Sequence, residues 1–209
     1  MKNTSLRIKP LVAACSLILV SLVSCVDIKT DVEVNADGSG TITLTYTALR
    51  ALVNMGTVDE ENRFYAIPIS EEDFENTADG IDGLGLRSFD LAETVDTVTV
   101  EANLDFESAE ALSSFFSSAG PGAVEITDNG DTTTYRQLIY GGSVEEINAD
   151  SREFIETFFS DYTAIFTLEA PEEISAVNMG EFSGRVAELE MGMTEILLSS
   201  EQLAWEVEW

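Results

Sequence analysis

The sequence has 209 residues and is strongly acidic, with 39 Asp and Glu residues against 10 Lys and Arg residues and no histidine. The absence of histidine excludes histidine-based catalytic triads and most zinc and transition-metal sites. The scarcity of basic residues excludes nucleic acid as a partner, because phosphate contacts need Lys and Arg side chains.

The first 24 residues have the layout of an export signal. Lys2, Arg7 and Lys9 form a basic head without any acid, and residues 11–23 form an almost unbroken apolar run. This run is shorter than the roughly 20 residues that a membrane-spanning helix needs, and its length is typical of a cleavable signal. We therefore exclude residues 1–24 from the folded part of the protein.

Leu22-Val23-Ser24-Cys25 closes this segment and resembles the lipobox of bacterial lipoproteins. The resemblance implies cleavage before Cys25, a diacylglyceryl group on its thiol, and fatty acids such as palmitate as the membrane anchor. It places the protein in the cell envelope, facing outside the cytoplasm. We expect a signal peptide over residues 1–24 and a single extracytoplasmic domain over residues 25–209.

Three alternatives to this interpretation stay open at this point. Val12-Ala13-Ala14-Cys15 also fits the lipobox letters, but cleavage there would leave an apolar run of only four residues. The segment also fits an ordinary secretory signal with Cys25 as a bystander, or an uncleaved membrane anchor. We favour Cys25 as the lipid-attachment residue, because it alone follows an apolar run of normal length.

The predicted mature chain, residues 25–209, has a more negative net charge than the full sequence. Three of the ten basic residues precede Cys25, which leaves seven against 39 acids and a net charge of −32. An anionic membrane surface repels such a domain, so the lipid must supply the membrane affinity, at about 0.8 kcal/mol per buried CH₂. The acidity is explained by solubility at high salt or by divalent cation binding, and the scarcity of lysine favours the first.

The first elements after Cys25 are predicted to be a hairpin followed by two short helices. Residues 28–34 and 42–46 alternate apolar and polar side chains around a turn at Ala36-Asp37-Gly38-Ser39-Gly40, as in a half-buried hairpin. A short helix is predicted over Thr47–Asn54. Ser70-Glu71-Glu72-Asp73 has the pattern of a capping box at the start of another helix.

Two more hairpins, each followed by a helix, are predicted in the middle of the chain. One turns near Glu93–Asp96, returns through residues 98–106 and precedes a helix that begins near Ala109. The other turns at Asn129-Gly130, a strong hairpin signal. We predict that the next helix begins at Ser143, with Ser143 and Glu146 as its capping box.

Strands complete the chain, around residues 162–168, 187–191 and 203–209, with a loop through Pro171 and Met179 before the second of them. The predicted fold class is α+β: a mostly antiparallel sheet built from successive hairpins, with about four short helices packed on one face. The aromatic residues Phe154, Phe158 and Phe159 are predicted to belong to the core.

The stretch Cys25-Val26-Asp27-Ile28, with the later Asp37-Gly38-Ser39-Gly40-Thr41, resembles the start of the LppM-type domain, a family of bacterial lipoproteins. The strand over residues 203–209 is similar to the end of that domain. The resemblance implies an extracytoplasmic α+β lipoprotein domain without an assigned catalytic activity.

No residue pattern points to catalysis, a cofactor or a metal site. Glu33, Asn35 and Asp37 imitate the opening of a calcium-binding loop, but its twelfth position is Leu44 rather than glutamate. Asp128 and Asp131 are assigned to turn chemistry. We expect a non-enzymatic, lipid-anchored module that binds an apolar ligand or an envelope protein. The alternatives are a structural or surface lipoprotein whose acidity serves solvation or cation binding, and an enzyme that uses a pair of carboxylates.

The lipid anchor is tested by Cys25→Ala. Because this change removes the thiol that carries the lipid, we expect the protein to leave the membrane fraction when whole cells are lysed and centrifuged. Cys15→Ala is the matched control and is expected to remain membrane-bound. A Cys25→Ala protein that stays in the membrane as firmly as the parent would contradict acylation at this residue.

Overall fold

The computed structural model describes residues 27–50, 68–119, 123–142 and 147–209. Its strands are β1 Ile28–Val34, β2 Gly40–Leu49, β3 Leu84–Glu93, β4 Thr97–Phe106, β5 Val124–Asp128, β6 Thr133–Tyr140, β7 Thr163–Glu169, β8 Ala176–Val177, β9 Glu181–Ser183, β10 Val186–Gly192 and β11 Leu203–Glu208. Its helices are α1 Glu71–Asp79, α2 Ala109–Ala119, α3 Ala149–Phe159 and α4 Met193–Leu197. The predicted mixture of helices and strands is confirmed.

Strand β1 lies at the centre of a seven-stranded sheet with the order β3-β4-β2-β1-β7-β10-β9. It pairs antiparallel with β2 on one side and parallel with β7 on the other. The remaining pairs among the described strands are all antiparallel. The prediction of a mostly antiparallel arrangement is therefore confirmed.

The other strands form a second sheet with the order β5-β6-β11-β8, so the expectation of one sheet was wrong. The alternation in each strand predicts one apolar face, but two such faces can be buried against each other as well as against helices. Tyr135 and Val207 of the second sheet are fully buried.

The core is formed by the inward faces of the two sheets together with α2. The largest fully buried side chains include Ile42, Leu104, Phe106, Phe115, Tyr135 and Trp205. The Trp205 indole Nε1 donates a hydrogen bond to the Met179 carbonyl oxygen at 3.0 Å, which satisfies its one polar atom. Among the described residues, no buried side-chain nitrogen or oxygen lacks a hydrogen-bond partner.

Two helix predictions need correction. The helix predicted over Thr47–Asn54 is wrong at its start, because Thr47–Leu49 continue β2, where the Thr47 and Thr99 hydroxyls lie 2.9 Å apart. Residues 51–67 lie outside the described chain. The helix predicted from Ser143 begins instead at Ala149, where the Asn148 side chain accepts a hydrogen bond from Ser151 N–H. The proposed capping box at residues 143–146 lies outside the described residues.

The C-terminal part of the chain contains elements that the sequence did not predict. The loop through Pro171 and Met179 includes the two-residue strand β8, and the five-residue helix α4 follows β10. Both are too short to produce a periodic pattern of apolar residues. The predicted start of α1 is confirmed, since Ser70 and Asp73 form a capping box.

Gly40 at the start of β2 lies where two backbones and a ring approach closely. A Cβ there would be 1.9 Å from the Glu33 carbonyl oxygen and 2.4 Å from Phe106 Cζ. Because the Glu33 backbone belongs to the central strand, we expect Gly40→Ala to lower the free energy of unfolding by about 1–3 kcal/mol, measured by urea denaturation.

Gly85→Ala on β3 is the matched control, because no heavy atom lies within 4 Å of the Cβ it would introduce. Its stability should stay unchanged or rise slightly, since glycine within a strand costs backbone entropy. Equal losses for the two variants would contradict the close approach at Gly40.

Candidate functional surfaces

The predicted lipid-attachment residue Cys25 lies outside the described residues, as does the signal segment that precedes it. The first described residue is Asp27, and β1 begins at Ile28. Three residues of extended chain span at most about 10 Å, so Ile28 lies no farther than that from the Cys25 backbone. Within the described residues, no helix has the length and apolar character needed to span a bilayer.

In each of the two loops considered as cation sites, an Asp carboxylate accepts hydrogen bonds from residues of the same turn. Asp37 Oδ1 accepts from the Ser39 hydroxyl at 2.6 Å and from Ser39 N–H at 3.1 Å. Asp128 Oδ1 accepts from Gly130 N–H at 2.7 Å. No three Asp, Glu, His or Cys residues of the described ranges are grouped closely enough to hold a metal ion.

Two shallow depressions open on the described surface, and neither lies between the two sheets. One, of about 290 Å³, lies beside the start of α2, and the other, of about 370 Å³, lies between α3 and α4. Ligand sites for small molecules usually enclose most of the ligand surface, which these open depressions do not.

The outer face of the seven-stranded sheet is open and polar. It carries the residues that alternate with the core positions, and none of them is buried: Lys29, Asp31, Glu33, Thr41, Thr43, Thr45, Thr47, Thr99, Glu101, Asn103, Asp105, Ile165, Thr167, Glu169, Val186, Glu188 and Glu190. Thr43 Oγ1 donates to Asn103 Oδ1 at 2.6 Å, and Asn103 Nδ2 donates to Ser88 Oγ at 3.0 Å. These bonds connect polar side chains across three strands of the face.

Every basic residue of the described chain forms an ion pair with a carboxylate. The pairs join Lys29 to Asp31, Arg50 to Glu93, Arg87 to Asp105, Arg136 to Glu125 and Glu206, Arg152 to Glu156, and Arg185 to Glu169. The remaining carboxylates have no basic side chain to neutralise them within the described ranges. The surface is therefore strongly negative, and exposed pairs of this kind contribute little to stability.

The placement of Phe154 and Phe158 corrects a prediction, because these rings are not in the core. They are 45% and 44% exposed, and their ring centroids lie 4.7 Å apart on α3. A stripe of apolar residues shows which side chains share a helix face, but not whether that face meets the core. We call Phe154 and Phe158 the aromatic pair. The exposed aromatic rings are a feature that sequence reasoning missed.

The aromatic pair is connected through packed rings to the end of the sheet at which β1 begins, which we call the proximal end. The ring of Phe159 lies 6.2 Å from that of Phe154 and 5.7 Å from that of Tyr162. Tyr162 and Ala48 form a small apolar cluster, against which Ile28 packs. A series of packed side chains therefore connects the exposed rings to the start of the chain's first strand.

The titratable groups with shifted pKa values serve structural roles. The hydroxyl of Ser70 lowers the pKa of Asp73, and the hydroxyl of Ser39 lowers the pKa of Asp37. Burial raises the pKa of Tyr46, with the charge of Asp73 as a second cause, and burial raises the pKa of Tyr135. The Tyr46 hydroxyl donates to the Pro68 carbonyl oxygen, which ties the segment before α1 to β2.

Comparisons with known proteins leave the family open. No protein-family model matches the chain, and no curated protein matches it. A structural comparison finds similarity to the NMR structure of the folded domain of the LppM protein from Mycobacterium tuberculosis, with 8% identity, 88% of each chain covered and a TM-score of 0.48. No argument about function rests on a likeness this low, and the resemblance to the LppM-type domain stays a prediction.

Proposed function

We propose that this protein is a lipid-anchored protein of the cell envelope whose domain lies outside the cytoplasm, binds another envelope protein through its surface, and has no catalytic role. The anchor rests on the lipobox residues Leu22–Cys25. The observation that carries the binding role is the open outer face of the seven-stranded sheet.

The geometry of that face supports protein recognition over uptake of a small ligand. Hydrogen bonds between side chains hold Thr43, Ser88 and Asn103 in place, so little side-chain entropy is lost when a partner binds. The face is acidic, and the bases that contact it are already paired: Lys29 with Asp31, Arg87 with Asp105 and Arg185 with Glu169. Charge complementarity favours a partner with a basic surface.

The closeness of Ile28 to Cys25 adds a restriction on the partner. Because the chain between them spans at most about 10 Å, the domain has no long flexible tether. The partner is therefore expected to expose its binding surface within one domain diameter of the membrane.

The proposal is tested by site-specific photo-cross-linking in intact envelopes. A benzophenone side chain at Glu101, at an exposed position of the outer face, is expected to give a discrete cross-linked protein. Glu72 on α1 is equally an exposed glutamate but lies away from this face, and it serves as the matched control. Identical products at the two positions, or none at Glu101, would contradict the proposed surface.

Native mass spectrometry of the same full-length, membrane-extracted protein provides an independent check. We expect the mass of the chain from Cys25 to Trp209 with its acyl groups and without a further stoichiometric adduct. An additional bound lipid would instead support the apolar-ligand role. A mass without acyl groups would contradict the anchor itself.

A second candidate function follows from the charge. The ion pairs use all described basic residues, so most of the described carboxylates have no basic partner. In this second function, the acidic surface itself serves solvation at high salt or loose binding of cations. In this case the melting temperature should rise as NaCl increases from about 0.05 M to about 1 M, because the Debye length falls to about 3 Å and carboxylate repulsion is screened. Sucrose at matched osmolality is the control for general exclusion effects. A melting temperature that does not change with salt would contradict this function.

A further inference from the structure

Helix α3 is unusual among the longer described helices, because none of its eleven residues is buried. A helix of this length is marginal in water unless one of its faces is packed. Among the described residues it contacts α4 and, through Phe159, the cluster of Ala48 and Tyr162, while the rings of the aromatic pair remain partly exposed to solvent. Two exposed phenylalanines in ring contact therefore form a surface whose coverage would stabilise the helix.

The strand register locates this surface at the proximal end. Ile28 pairs with Ala164, two residues after Tyr162, and Tyr162 packs on Phe159 of α3. The turn between β3 and β4 lies at the same end of the sheet. Tyr46 of β2 pairs with Ile28, and three residues later Leu49, at the end of β2, pairs with Thr97, at the start of β4. Val95 in that turn is 88% exposed. Two separate elements thus present apolar side chains at one end of the sheet.

We propose that the aromatic pair is a second membrane contact, inserting into the headgroup region of the zwitterionic bilayer that holds the acyl chains of Cys25. This inference rests on the lipid anchor of the proposed function. The anchor places Ile28 within about 10 Å of the lipidated residue, so the proximal end and its exposed rings adjoin the bilayer surface. Phenylalanines on one side of an interfacial helix are suited to burial about 5–10 Å into this region.

The charges around the aromatic pair favour a bilayer over a second copy of the chain. Helix α3 carries Asp150, Glu153 and Glu156, and its one base, Arg152, is paired with Glu156 at 3.8 Å. Two copies meeting through α3 would bring these carboxylates together, at a cost from like-charge repulsion. The same carboxylates are repelled by anionic lipid, and the contact is therefore selective for zwitterionic headgroups.

The contact predicts an orientation of the domain. The proximal end faces the bilayer, and the opposite end of the sheet is the farthest from it. Phe182 lies toward that opposite end. It pairs with Ala187 of β10, Ala187 pairs with Leu168 of β7, and Leu168 pairs with Val32 of β1. Val32 is four residues beyond Ile28, or about 13 Å further along the strand.

Phe158→Trp and Phe182→Trp form a matched pair for the test, because both phenylalanines are about equally exposed, at 44% and 45%. The full-length, acylated protein is reconstituted into phosphatidylcholine vesicles whose acyl chains carry bromine, a quencher of tryptophan. The parent protein supplies the background from Trp205 and Trp209. Circular dichroism checks that both variants keep the parent fold.

We expect the added indole of Phe158→Trp to lose fluorescence and shift to the blue in brominated vesicles, whereas that of Phe182→Trp stays unchanged. Addition of phosphatidylglycerol to the vesicles should reduce the quenching of Phe158→Trp, because the carboxylates of α3 are repelled. Equal quenching of the two variants would overturn the proposed contact. So would quenching of Phe158→Trp that increases with phosphatidylglycerol.

Three further outcomes separate this inference from the proposals on which it depends. If mass spectrometry shows Cys25 acylated but Phe158→Trp is not quenched, the anchor stands and the second contact is wrong. An unmodified Cys25 would overturn both. If aqueous acrylamide fails to quench Phe158→Trp in detergent without bilayer lipid, protein rather than membrane covers the aromatic pair, and the contact is again overturned.

Discussion

The pairing of β1 on both of its edges is the constraint on which the rest of the structure depends. On one side β1 pairs with its neighbour in the chain, β2, and on the other side with β7, which is distant in sequence. Without β1, the strands β3-β4-β2 and β7-β10-β9 would form two separate sheets. Because β1 and β7 are far apart in the sequence, closing this parallel contact costs more loop entropy than forming the hairpin of β1 with β2.

The central position of β1 also links the fold to the proposed anchor. A lipid on Cys25 would be attached within three residues of the strand that organises the larger sheet. The proximal end with its exposed rings and the open polar face then occupy different sides of the molecule. One surface is suited to lipid and the other to protein, so the two proposed contacts do not compete.

Charge and apolar exposure have opposite effects on how this domain meets a membrane. The acidic surface, in which each described base already has a carboxylate partner, favours distance from anionic lipid. The aromatic pair and Val95 favour contact with an apolar phase. In the proposed arrangement, an acyl chain on Cys25 would offset this opposition, because covalent attachment raises the effective concentration of the domain at the bilayer surface and weak apolar contacts would then suffice to orient it.

The local features of this protein were determined by its sequence. Alternation predicted most of the long strands, Asn129-Gly130 predicted a turn, and Ser70 with Asp73 predicted the start of α1. These features depend on neighbouring residues and are therefore visible in the sequence itself. The division into two sheets, the parallel pairing of β1 with β7 and the exposure of Phe154 and Phe158 were decided by the tertiary structure. An apolar stripe indicates which face of a helix is apolar, but only the packing of distant elements decides whether the core covers that face or leaves it exposed.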